Sequence, residues 1–170
     1  MSPVVRDAHR SDSYAAEDAA FEGTVVERKP GGPALEGAVQ TVLASAWWRA
    51  NVGDPAVVRR IQVRTARDSH WAEGTGTLAI DPTEPWYVVT HELAHVAAGA
   101  VDEVHGPAWR GWNVVITGAV FGERFGRLLA ASFTRFHLPA AAPTLRSPAS
   151  DALVRVVPDK PPRGGWSPAR

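Results

Sequence analysis

The chain has no cysteine among its 170 residues. Disulfide scaffolds, thiolate nucleophiles, cysteine zinc ribbons and iron–sulfur clusters are thereby excluded. Any bound metal must be held by His, Asp or Glu. An excess of either charge is also lacking: 18 Lys+Arg stand against 18 Asp+Glu, a formal net charge of +0, with a pI near 7.0. Nucleic-acid binding driven by bulk charge is not expected of such a chain. No apolar run approaches the roughly 18 residues needed to span a bilayer. The opening residues, Met1-Ser2-Pro3-Val4-Val5-Arg6-Asp7, carry no apolar signal segment. A soluble, cytoplasmic protein without membrane attachment is the expectation.

What is present supports a core. With 45% hydrophobic and 21% charged residues, the chain can bury enough apolar surface for one domain, and disorder of the whole is excluded. The composition shifts near residue 139. Residues 139–170 hold 7 of the 14 prolines and carry 5 Lys+Arg against 2 Asp, so neither helix nor central strand is expected there. The reading is a folded domain over 1–138 followed by a Pro-rich, mobile, weakly basic tail over 139–170. Within the tail, the strand-like run 152–157 is a candidate for docking on a sheet edge or a partner.

Periodicity divides the domain. Helix is favoured over 12–21 and a short strand over 24–26, and the Lys29-Pro30-Gly31-Gly32-Pro33 run is a turn. Leu35, Ala38, Val39, Val42, Leu43, Ala46, Trp47 and Ala50 recur at three- and four-residue steps, which predicts one helix over 35–50. Two strands are predicted, over 57–65 and 76–81, and three helices over 85–99, 107–117 and 123–136. Helix, then strands, then helices argues an α+β fold with a small sheet packed against helices.

The chemistry-bearing stretch is Thr90-His91-Glu92-Leu93-Ala94-His95. Residues four apart lie nearly in line on a helix, so His91 and His95 can aim their imidazoles at one ion. Glu92, one step round, can act as general base on a metal-bound water without binding the metal. A catalytic zinc site takes three protein ligands and keeps an open position. His105, followed by Gly106 and Pro107, is the first candidate for the third ligand, since a turn there swings it back over the helix; Asp102 and Glu103 are its rivals. For a group that stabilises an oxyanion, the sequence offers His70, Tyr87, Arg110 and His137 without choosing. Trp71, Trp109 and Trp112 read as core or cleft wall.

The run His91-Glu92-Leu93-Ala94-His95, followed by His105-Gly106-Pro107-Ala108-Trp109, resembles the SprT-like zinc metallopeptidases of the zincin group over roughly residues 34–137. The start of the chain, with Arg6-Asp7-Ala8-His9-Arg10-Ser11 and Tyr14-Ala15-Ala16-Glu17-Asp18-Ala19-Ala20-Phe21, further resembles a metallohydrolase family of actinobacteria and their phages. The resemblance implies His91, His95 and His105 as zinc ligands, Glu92 as catalytic base, and a zincin-like packing of helix, small sheet and active-site helix. Two departures are plain. No cysteine ribbon follows the catalytic part, so the DNA-linked role of some relatives is not carried over. Ala98 and Val101 stand where metzincins have glycine and histidine.

Three functions follow in order. The first is a zinc-dependent hydrolase, a peptidase, in which a zinc-bound water activated by Glu92 attacks the amide carbonyl of a peptide or protein substrate. The second is a zinc-containing binding or structural module without catalysis. The third is a nucleic-acid-associated protein using Arg59, Arg60, Arg64 and Arg67, although arginines on an exposed strand face are ordinary.

Overall fold

A computed structural model describes residues 7–65, 68–101 and 103–147. Six helices and one three-stranded sheet make an α+β fold, in the order expected. Helix α1 (Arg10–Phe21) buries Ser13, Ala16, Glu17, Ala20 and Phe21 along one face and packs on the last helix. The strand expected over 24–26 is instead a single 3-10 turn, Val25–Glu27. Three residues are too few to read a strand from propensity.

The helix expected over 35–50 is two helices, α2 (Gly32–Ala44) and α3 (Ala46–Asn51). Ser45 breaks the run with φ −69° and ψ 150°. Its hydroxyl accepts from Trp48 N at 3.1 Å and so caps α3, a role for which serine is favoured. The bend carries Trp47 and Trp48 together into the core, at 1% and 0% exposure.

The sheet comprises β1 (Arg60–Val63), β2 (His70–Ala72) and β3 (Thr77–Ile80), in the order β1-β3-β2. β1 runs parallel to β3, pairing Ile61 with Leu78. β2 runs antiparallel, pairing Trp71 with Leu78. The expected strands are thus present but trimmed, and β2 is an addition. Leu78, Ala79 and Ile80 of the central strand are fully buried.

Helices α4 (Val88–Ala98), α5 (Pro107–Phe121) and α6 (Glu123–Arg135) complete the fold. α4 begins later than expected because Asp81 Oδ1 takes hydrogen bonds from Thr83 N and Oγ1, at 2.8 and 2.6 Å, turning the chain before the helix. α5 lies between α4 and α6. Gly126 lets α6 approach closely, since a Cβ there would stand 2.9 Å from Val114 O and 3.1 Å from Gly118 Cα. No helix of the described residues is long and apolar enough to cross a membrane.

Beyond α6, residues 139–147 carry neither helix nor strand but are bonded to the body. Arg110 Nε donates to Pro139 O at 2.7 Å, and Ala141 N donates to Pro107 O at 2.8 Å. Asn51 Oδ1 accepts from Arg146 N and Ser147 N. Arg67, Asp102 and the strand-like run 152–157 lie outside the described residues. A Cβ on Gly111 would stand 1.7 Å from Ala141 O, whereas one on Gly118 meets nothing nearer than 3.9 Å. Gly111→Ala is therefore expected to cost about 1–3 kcal/mol by overpacking. Gly118→Ala should be neutral or stabilise by about 0.5–1 kcal/mol through helix propensity. Urea denaturation of the two variants checks the contrast.

Candidate metal centre

The His91–His95 stretch sits in α4, which packs against α5, β2 and β3. Val89, Leu93 and Val96 fill the core, and the helix turns His91, Glu92 and His95 toward the neighbouring cavities. Gly99 ends the helix with φ 63°. The chain then doubles back through a turn closed by Gly106 N donating to Glu103 O at 3.1 Å, and α5 starts at Pro107.

That return brings His105 onto the pair. His95 Nε2 lies 3.4 Å from His91 Nε2, and His105 Nε2 lies 3.3 Å from it. The three nitrogens form a group within 4.8 Å, and His91 and His105 are each only 3% exposed. Of the rival third ligands, Asp102 lies outside the described residues, and Glu103 is not in the group.

The far side of each ring explains why these nitrogens face one another. His91 Nδ1 lies 3.0 and 2.8 Å from the two carboxylate oxygens of Glu17. His105 Nδ1 lies 2.7 Å from Asp7 Oδ2. A carboxylate only accepts, so each Nδ1 carries the hydrogen, and in the neutral ring each Nε2 keeps a lone pair. Lone pairs converging at 3.3–3.4 Å repel unless something positive lies among them. Two nitrogens bound to one tetrahedral zinc at about 2.0–2.1 Å are themselves about 3.3 Å apart. The residues fit a metal ion, and the cluster can hold one.

Burial and charge tune the group. Burial would lower the His91 pKa, but the Glu17 carboxylate beside it raises it overall. His95 is pushed down to about 2 by burial and then by the neighbouring His91 and His105. His105 is lowered by burial and by His91, against the pull of Asp7. Burial lifts the Glu92 carboxyl to about 7, with His91 holding it back. Glu92 is 2% exposed, and its Oε2 has no hydrogen-bond partner among the described residues. It lines a cleft of about 480 Å³ together with His95, His105, Tyr14, His70 and Trp71.

The other sequence candidates are accounted for. Trp109 is fully buried with its ring 4.6–5.3 Å from all three imidazoles, and its Nε1 donates to His91 O at 3.3 Å. It is a core residue backing the three rings, one of the two roles expected of it. Arg110 spends its guanidinium on the carbonyls of His105 and Pro139. Tyr87 donates to Asp18 Oδ1 at 2.5 Å. His137 is exposed beyond the end of α6. Of the four oxyanion candidates, His70 lines the 480 Å³ cleft with His95 and His105, and Tyr87 lines the cavity on the other side with His91 and Glu92.

Sequence reasoning gave no role to Asp7, Glu17, Tyr14 or Asn113. Asn113 Nδ2 donates to Glu17 Oε1 at 2.6 Å, completing a buried chain from imidazole to carboxylate to amide. One signal was available: Glu17 stands within the buried face of α1, and an acid in such a stripe is costly unless paired. Partners of this kind orient a ligating histidine, and their loss typically costs 10–100-fold in metal affinity. Glu17→Gln is expected to weaken zinc binding by about 10–100-fold, read in a competition titration against a chromophoric chelator. No protein-family model, curated protein or solved structure gives a significant match to the chain.

Proposed function

We propose that the protein is a zinc-dependent hydrolase, a peptidase of the zincin type, with His91, His95 and His105 as ligands and Glu92 as general base. The observation that carries this reading is the Glu92 carboxylate, buried and with an unpartnered oxygen, beside three converging imidazole nitrogens at the wall of an open cleft. The resemblance of the His91–Trp109 stretch to SprT-like metallopeptidases points the same way. A buried carboxylate oxygen without a partner among the described residues suits a group whose partner arrives with the reaction.

A bound zinc ion supplies Lewis acidity toward a water and a carbonyl oxygen. Glu92 takes the proton of the attacking water and passes it to the leaving nitrogen as the C–N bond breaks. Burial raises its pKa in the metal-free chain, and a bound cation would draw it back toward the carboxylate form that accepts a proton. Glu17 and Asp7 hold His91 and His105 in the tautomer that presents Nε2. Trp109 and the core side of α4 fix the rings. His91, His95 and His105 would hold the ion with three protein ligands, as catalytic zinc sites do, whereas structural zinc sites are closed by four.

The test is elemental analysis of the purified protein, followed by incubation with a denatured-protein mixture and mass-spectrometric detection of new chain ends. Cleavage that stops with chelator and returns with zinc supports the reading. One zinc per chain without any cleavage assigns the protein instead to the metal-containing binding modules.

A further inference from the structure

Hydrolysis through a tetrahedral intermediate needs a donor for the developing oxyanion, and the residues the sequence offered are mostly spent elsewhere. Arg110 and Tyr87 are bonded to protein acceptors. On this hydrolytic reading of the site, we propose that Tyr14 is a further catalytic residue, donating its hydroxyl hydrogen to the oxyanion formed at the attacked carbonyl.

The placement is set by α1. Glu17, which holds His91 Nδ1, lies three residues on from Tyr14, so both occupy one face of the helix. That face lays the Tyr14 ring flat on the His91 imidazole, with centroids 5.0 Å apart and planes 12° from parallel. The ring is 5.4 Å from His105. Tyr14 therefore stands beside two of the three candidate ligands, and it lines the cleft together with Glu92 on both sides of the cluster.

The hydroxyl is free to act. Arg10, one turn earlier, sets its guanidinium 5.6 Å from the Tyr14 ring centre, and a guanidinium can only donate to the phenol oxygen. Among the described residues no protein acceptor takes the phenol hydrogen. A fixed donor with an uncommitted hydrogen costs no reorganisation when charge appears. As the water oxygen bonds the carbonyl carbon, the π pair moves onto the carbonyl oxygen and the Tyr14 hydrogen bond tightens, with no proton transferred. The water's proton leaves through Glu92 to the nitrogen. When the C–N bond breaks, the pair returns and the hydrogen bond relaxes.

Tyr14→Phe isolates the hydroxyl, because the ring and its stack on His91 remain. The protein is loaded with cobalt(II), and its visible spectrum is titrated with methylphosphonate, a tetrahedral oxyanion, and with acetate, a planar one. The variant should keep its metal content and its acetate affinity, and lose about 10²-fold in methylphosphonate affinity, the scale of one oxyanion donor. On any substrate found, kcat should fall by about 10²–10³ with KM little changed. Tyr87→Phe, whose hydroxyl is tied to Asp18, should shift neither probe. Methylphosphonate binding equal to wild type, or equal losses for both anions, overturns the proposal. If the loaded protein cleaves nothing yet Tyr14→Phe still weakens methylphosphonate selectively, the hydrolase reading falls and the oxyanion contact stands.

Discussion

Glu92→Gln is expected to keep its zinc and its fold while losing hydrolysis by about 10²–10⁴-fold in kcat/KM, the usual contribution of a positioned general base. That loss corresponds to about 3–5 kcal/mol of transition-state stabilisation. The substitution conserves shape, and Glu92 is not among the grouped nitrogens, so metal content should stay at the wild-type level. A stability change should accompany it in the metal-free protein. Burial raises the Glu92 pKa from 4.5 to about 7, so the fold favours the protonated acid. A group raised in this way contributes stability that is fully present below pH 4.5 and is lost as pH rises through 7. Glutamine carries no such loss. Metal-free Glu92→Gln is therefore expected to be more stable than wild type above pH 7, by up to about 3 kcal/mol. The gap should close toward pH 4. Urea melts at the two pH values, alongside peptide cleavage by the zinc-loaded proteins, check both halves. Equal activity of variant and wild type removes Glu92 from the chemistry.

Zinc itself should stabilise the protein strongly. An ion that binds the native state alone contributes about 4 kcal/mol at a free concentration 1,000 times Kd, which for a chain of this size is a rise in Tm of about 8–16 °C. His105→Ala should remove most of that shift. Losing a ligand is a larger change than losing one of its carboxylate partners, which costs about 10–100-fold. At the same zinc concentration the variant then keeps at most about 1.4 kcal/mol, or about 3–6 °C. The shift on adding zinc is the quantity to read, because the variant also leaves Asp7 without its 2.7 Å partner and starts from a different baseline. Thermal scans of both proteins with chelator and with buffered zinc suffice.

The parts of the structure written in short range were legible in the sequence. His91 and His95 are four residues apart on one helix, and the Gly106-Pro107 turn after His105 foretold the doubling back. The α+β order and five of the six helices also followed from local periodicity. The misses share a cause. Ser45 sits in a run whose apolar stripe continues on both sides, so periodicity sees one helix where a serine cap makes two. β2 spans three residues and exists because β3 lies beside it. Asp7 and Glu17 meet their histidines across 98 and 74 residues, and no pattern along the chain records such a meeting. Tyr14 is hidden likewise, because the ring it stacks on belongs to a different helix.

Those same long separations dictate when the centre can form. While the chain is being synthesised, the first helix emerges long before the histidines it will hold. Closing loops of that span is entropically costly and slow. Until the N-terminal helix docks on α5 and α6, His91 and His105 lack the Glu17 and Asp7 carboxylates that orient them. A metal offered to the nascent chain would be held about 10–100-fold more weakly for each missing partner. Tight holding of a metal would thereby report that the N-terminal helix is in place.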